Sequence, residues 1–132
     1  MNKAEQVIKR YEAARQRKNM LEDVRRRLIA NCANLYKFDP VTREIETGDN
    51  CFALAFAHTM KLNKAASFDD CYSFDEVFAN GELENGMSVC LSCKEAHEIK
   101  RGPLAEAKKE LGSAKRQLAA IGKQLIAREG KL

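Results

Sequence analysis

Leu104, Ala107, Leu111, Ala114, Leu118, Ile121 and Leu125 follow one another at spacings that alternate three and four. Such a seam demands a long helix whose narrow apolar stripe presses on another helix. The leucines share one column. Ala107 and Ala114 share the other, which then admits Ile121, and alanine columns let two backbones come close. Gly102 is a candidate N-cap, and Pro103 sits in the first turn, where its missing N–H costs nothing. Ala4, Val7, Tyr11, Ala14, Lys18 and Leu21 repeat the alternation near the N-terminus, and Val24, Leu28 and Cys32 extend it after a small phase slip. Lys18 can lay its stem along the stripe with its ammonium in water. Complementary seams at opposite ends predict an antiparallel helix pair. The expected fold is mainly α: a two-helix coiled-coil hairpin of residues 1–34 and 102–132. A small α+β head, residues 35–101, is inserted between them, and the whole forms one structural domain.

Within the connection, residues 35–38 and 43–47 alternate weakly around Asp39-Pro40 and predict a short hairpin. Asp49 or Asn50 can cap a helix over residues 51–62. That helix is apolar nearly all round, so burial is expected, with Phe52, Leu54, Phe56, Met60 and Leu62 in the head core. Residues 67–86 mix aromatic side chains, among them Phe68, Tyr72, Phe74 and Phe78, with Asp69, Asp70, Asp75, Glu76, Glu82 and Glu84. A helical turn starting at Ser73 or Asp75 and ended by Gly81 fits this stretch. The segment from Met87 starts extended and turns helical after Cys93.

Aromatic residues make up only 7% of the 132-residue chain and Trp is absent, so a core must come from Leu, Ala, Ile and Phe. No stretch is long and apolar enough to cross a bilayer, and the first residues lack the apolar centre of a signal peptide. The expected location is therefore a reducing cytoplasm, without a membrane partner. Five cysteines there suit metal ligation or simple burial better than a disulfide framework.

Cys90-Leu-Ser-Cys93 is the local motif with most chemical content. Two thiolates separated by two residues can grip one Zn²⁺, because a tight turn aims both sulfurs at one point. A helix beginning beside them helps to stabilise thiolate charge. His97, one helical turn beyond Cys93, and Cys71 from a distant loop complete a Cys₃His set for structural zinc. Cys51 is the alternative fourth ligand. The bland reading is that these are inert buried cysteines with His97 on a charged surface. A thioredoxin-like redox role is disfavoured, since no βαβ pattern surrounds the pair. Cys32 reads as a seam residue and His58 as a head-core histidine.

Charge is partitioned more sharply than the net +4 suggests. Residues 1–38 carry a net +6, residues 39–93 a net −7 and residues 94–132 a net +5. Arg25, Arg26 and Arg27 on the first helix, and Lys108, Lys109, Lys115, Arg116 and Lys123 on the last, could track nucleic-acid phosphates. The competing reading is a solvated face interrupted by Glu12, Glu106 and Glu110. Beside the main seam, Ala105, Gly112, Ala119 and Ile126 recur every seven residues, with Gly122 on the same flank. Interior glycines cost about 1 kcal/mol each relative to Ala. A second close-packed surface, for a partner helix or another copy in a homodimer, would offset that cost. The acidic head could dock on a basic surface.

No phosphate-cradling glycine loop, HExxH or G-x-S-x-G occurs, so no enzyme is expected. A metal-dependent hydrolase acting on nucleic acid is the catalytic alternative. In outline the layout resembles small bacterial regulators built as a coiled-coil hairpin with a zinc-bearing globular part, which enter the secondary channel of RNA polymerase. Those proteins carry two CxxC pairs near the C-terminus, whereas here the pair lies within the connection, so the resemblance is one of architecture. The expected function is a non-enzymatic regulator or inhibitor that docks on a protein or nucleoprotein complex. Its size and layout suit a phage or other mobile element. The alternative is a zinc-containing coiled-coil protein that binds DNA or RNA directly.

Overall fold

The computed structural model describes residues 2–65, 67 and 71–129. The described residues form helices α1 (Lys3–Ala30), α2 (Cys51–Ala65), α3 (Phe74–Asn80), α4 (Leu91–Arg101) and α5 (Pro103–Glu129), with strands β1 (Tyr36–Phe38) and β2 (Ile45–Thr47) between α1 and α2. Two compact units result: residues up to Asp23 together with those from Ile99 onward, and residues Val24–Glu98.

The first unit is the expected helix pair. Val7 and Ala14 of α1 are buried, as are Leu104, Ala107, Leu111 and Ala114 of α5. Arg10 ties the helices together. Its Nε pairs with Glu110, Nη1 donates to Gln117 at 2.8 Å, and Nη2 donates to Ser113 Oγ at 3.2 Å. The hydrogen bond and charge of Arg10 hold the Glu110 carboxyl below the usual carboxylate range. The helices are antiparallel: Asn2, Lys3 and Ala4 border a cavity with Ile121, Gln124 and Leu125, while Arg17 borders one with Glu106 and Glu110. The seam loosens toward the C-terminus, where Leu118 and Ile121 are half-buried and Leu125 is 52% exposed. The small Ala4 faces that end and leaves Leu125 largely uncovered.

The second unit holds the head. Tyr36 pairs with Thr47, and Phe38 with Ile45, in an antiparallel register. Asp39 Oδ1 accepts from the Val41 N–H at 2.9 Å and fixes the turn. Asn50 caps α2 by accepting from the Ala53 N–H at 2.9 Å. Ser73 caps α3 by accepting from the Glu76 N–H, and Gly81, at φ 72°, ends it in the left-handed conformation. Phe78, Val77, Leu83, Ala55 and three cysteines form the core, with Phe52, Phe74 and Met87 packed around it.

Two expectations about this unit change. The helix over residues 51–62 is not buried all round: Cys51, Ala55 and Thr59 line its inner face, while Phe56 and Met60 are 62% and 48% exposed. At 100° per residue, positions 56 and 60 turn away from the column 51, 55, 59, and no described part of the head covers them. α4 begins at Leu91 rather than after Cys93, so the Cys-x-x-Cys pair lies across the helix start. Phe68, Asp69 and Asp70 of the acidic stretch lie outside the described residues.

The hairpin packing predicts a contrast. Leu111→Ala should destabilise by about 2–5 kcal/mol as a buried large-to-small change, while Leu125→Ala should cost well under half of that. Thermal melts of the two variants check this; similar losses would mean the seam is closed along its full length.

Candidate metal centre

Cys32, Cys51, Cys90 and Cys93 bring their sulfurs within 4.8 Å of one another. They arrive from three pieces of local structure. Cys32 follows the end of α1, in a tight turn where the Cys32 N–H donates to Ile29 O at 3.0 Å. Cys51 is the first residue of α2. Cys90 immediately precedes α4 and accepts its first backbone bond from the Lys94 N–H, and Cys93 lies in the first turn. Residues between Cys32 and Cys51 return on themselves through the β-hairpin, closed by the Gly48 N–H donating to Leu35 O. That return brings two cysteines 19 residues apart into contact.

The sulfur separations are 3.5 Å for Cys32 and Cys51, 3.6 Å for Cys51 and Cys90, and 3.7 Å for Cys90 and Cys32. Four thiolates at about 2.3 Å from a tetrahedral ion lie about 3.8 Å apart, so these edges match such a cage closely. No disulfide is formed among these cysteines. The four could therefore hold a metal ion.

The surroundings suit thiolates. The Cys90 N–H donates to Cys51 Sγ at 3.4 Å, and Asn34 Nδ2 donates to the same sulfur at 3.2 Å and to Ser88 O at 3.2 Å. Burial works to raise the Cys90 thiol, but Ser92 and the backbone N–H groups of Cys93 and Ala33 outweigh it and bring Cys90 down to about 6. Burial pushes Cys51 up to about 11 and Cys93 upward as well. Four thiols this close cannot all ionise in a dry core unless a cation shares the space. The N-termini of α2 and α4 add positive dipole ends at the same point.

Of the residues expected to ligate, the structure brings together Cys90, Cys93 and Cys51. It adds Cys32, which the sequence places in phase with the α1 stripe. Cys71 is exposed and outside the cluster. His97 is buried but faces another way: its ring stacks on Phe78 with centroids 4.3 Å apart, Phe52 and Phe74 lie close by, and its Nε2 is 3.1 Å from Asp75 Oδ1. One turn further along α4 than Cys93, it belongs to the aromatic core. His58 is half-buried, with Nδ1 3.8 Å from Glu84 Oε1.

The remaining candidates lie outside this centre. Arg25 is half-buried, its guanidinium carbon 5.0 Å from the centroid of Phe52, so it packs on the head core instead of standing free. Arg26 and Arg27 are exposed, as are Lys108, Lys109, Lys115, Arg116 and Lys123. Ala105 and Ala119 are exposed and Ile126 is 72% exposed. A Cβ added at Gly112 would meet only Arg116 Nη1 at 3.6 Å, and one at Gly122 would meet nothing within 4 Å. Packing within the chain therefore does not require either glycine. Compared with known proteins, the chain matches no family model, no curated protein and no solved structure.

A metal held by these four sulfurs predicts a specific pattern of loss. Cys32→Ser should lower bound metal as severely as Cys90→Ser, while Cys71→Ser and His97→Gln should leave it unchanged. Metal content of purified variants, and the thiolate-to-metal absorption of cobalt-loaded protein, read this directly.

Proposed function

We propose that the four cysteines bind a structural Zn²⁺ and that the protein is a non-enzymatic binding module that docks on a protein or nucleoprotein complex. The observation that carries this reading is the closed donor set. Four cysteine sulfurs lie within 4.8 Å of one another, and three of the cysteines are at most 2% exposed. Sites that activate water keep a position open, whereas all-protein cages act as staples. Four cysteine thiolates are a donor set of structural zinc sites.

Bound there, zinc would join the end of α1 to the starts of α2 and α4. The second unit needs such a staple: Phe78 is its one fully buried large side chain other than cysteine among the described residues. Structural zinc contributes about 10–16 kcal/mol of apparent binding energy in small domains, which is large beside a typical folding stability of about 5–15 kcal/mol. With the metal enclosed, activity must reside on surfaces, and the exposed Phe56, Met60 and Leu91 offer contact points.

Protein purified without added metal should carry about one zinc per chain. Removing it with a thiol-reactive mercurial and a chelator should lower the melting temperature by at least about 10 °C, since each kcal/mol lost shifts it several degrees. Restoring zinc should recover the fold. Metal-free protein with an unchanged melt would remove the staple. Chelator-sensitive cleavage of nucleic acid by the zinc-loaded protein would replace the binding module with a hydrolase.

A further inference from the structure

The first unit is strongly basic. Residues 1–23 and 99–132 together hold fifteen Lys and Arg against seven Asp and Glu, a net +8, while residues 24–98 hold eight against twelve, a net −4. Structure sharpens this further than composition does. Glu110 is turned toward α1, where Arg10 holds it, and Glu106 borders a cavity with Arg17 that Lys109 and Arg116 also line. At 100° per residue Glu106 and Glu110 fall beyond the Lys109 edge of the arc that runs from Lys115 to Lys109.

The outward face carries no acid. At 100° per residue, Lys108 and Lys115 form one row and Lys109 and Arg116 a second, with Lys123 between them further along. All five are exposed, and none forms an ion pair among the described residues. Ala105, Gly112 and Ala119 run between the rows, so little side-chain bulk separates the helix backbone from whatever lies against it. Arg116 leans over Gly112. From Lys108 to Lys123 the face extends about 22 Å at 1.5 Å per residue. That length matches about six phosphates along one strand of a duplex.

We propose that this outward face of α5 binds the sugar-phosphate backbone of double-stranded nucleic acid, without reading sequence. Unneutralised cations in two rows over a low, small-residue floor complement a regular polyanion. Charge favours a strand backbone over an apolar partner helix, which would have to desolvate those cations. No aromatic side chain lies among them to stack on unpaired bases, so a duplex fits better than a single strand. This surface is separate from the cysteine centre, and the inference stands whether or not the bound metal is zinc.

Full-length protein, as purified, is titrated against a fluorescent 20-base-pair duplex at 50 to 300 mM salt. With four or so phosphates engaged, affinity should fall roughly 100-fold between 50 and 200 mM salt. Lys109→Ala with Lys115→Ala should reduce the salt slope by about 2. Lys64→Ala with Lys94→Ala, which removes the same charge from the other unit, should leave the slope unchanged. Because the altered side chains are exposed, melting temperature and metal content should match the unaltered protein. Those two readouts separate loss of this surface from failure of the metal staple. No binding at 50 mM salt overturns the proposal, as do equal effects of the two double variants. Competition by polyglutamate as effective as by unlabelled duplex would reassign the face to an acidic protein.

Discussion

The convergence of four sulfurs at one point in the second unit is the constraint on which its other elements depend. The end of α1 and the start of α2 each place one cysteine there and the start of α4 places two, all within 4.8 Å of one another, while the β-hairpin returns the chain between the first two. Donated N–H groups from Cys90 and Asn34 aim at the same sulfurs. A unit with so few large buried side chains has little else to fix those segments. The aromatic cluster of Phe52, Phe74, Phe78 and His97 is the second anchor, and it packs beside the sulfurs through Phe78 and Cys93 of the same core.

The first unit rests on a different interaction. Buried Leu and Ala of α5 pack with Val7 and Ala14 of α1, and Arg10 bridges the pair. An arginine that binds Glu110, Ser113 and Gln117 together neutralises one acid of α5. Packing and surface charge are thus set by the same few residues. A carboxylate drawn into an interhelical bridge no longer screens its neighbours along the helix.

Most of the secondary structure was legible from residue types because its signals are local. Pro103, Ser73, Gly81 and Asp39 act within a turn or two of themselves, and the structure puts a helix start, a cap, a helix end and a hairpin turn at those positions. The metal centre was legible only in part. Cys90 and Cys93 advertise themselves by spacing, but Cys32 fell in step with Val24 and Leu28, so it passed for a helix-face residue. A signal was present: Asn31 to Asn34 is a poor helix, and a hairpin between Cys32 and Cys51 must bring its two flanks together. His97 misled for the complementary reason, since one helical turn from Cys93 is near in sequence yet points into the aromatic core.

Sequence alone determined that two long amphipathic helices lie at the ends of this chain and run antiparallel, because heptad spacing and short-range caps do not depend on distant partners. It also determined that a Cys-x-x-Cys pair stands beside a helix start. Tertiary structure decided which cysteines join that pair, because convergence depends on where loops return. It decided that Phe56 and Met60 face outward, because a helix apolar all round does not say which side its neighbours occupy. It decided, too, that Glu110 turns toward α1, because only the position of Arg10 across the helix pair selects the side on which it is held.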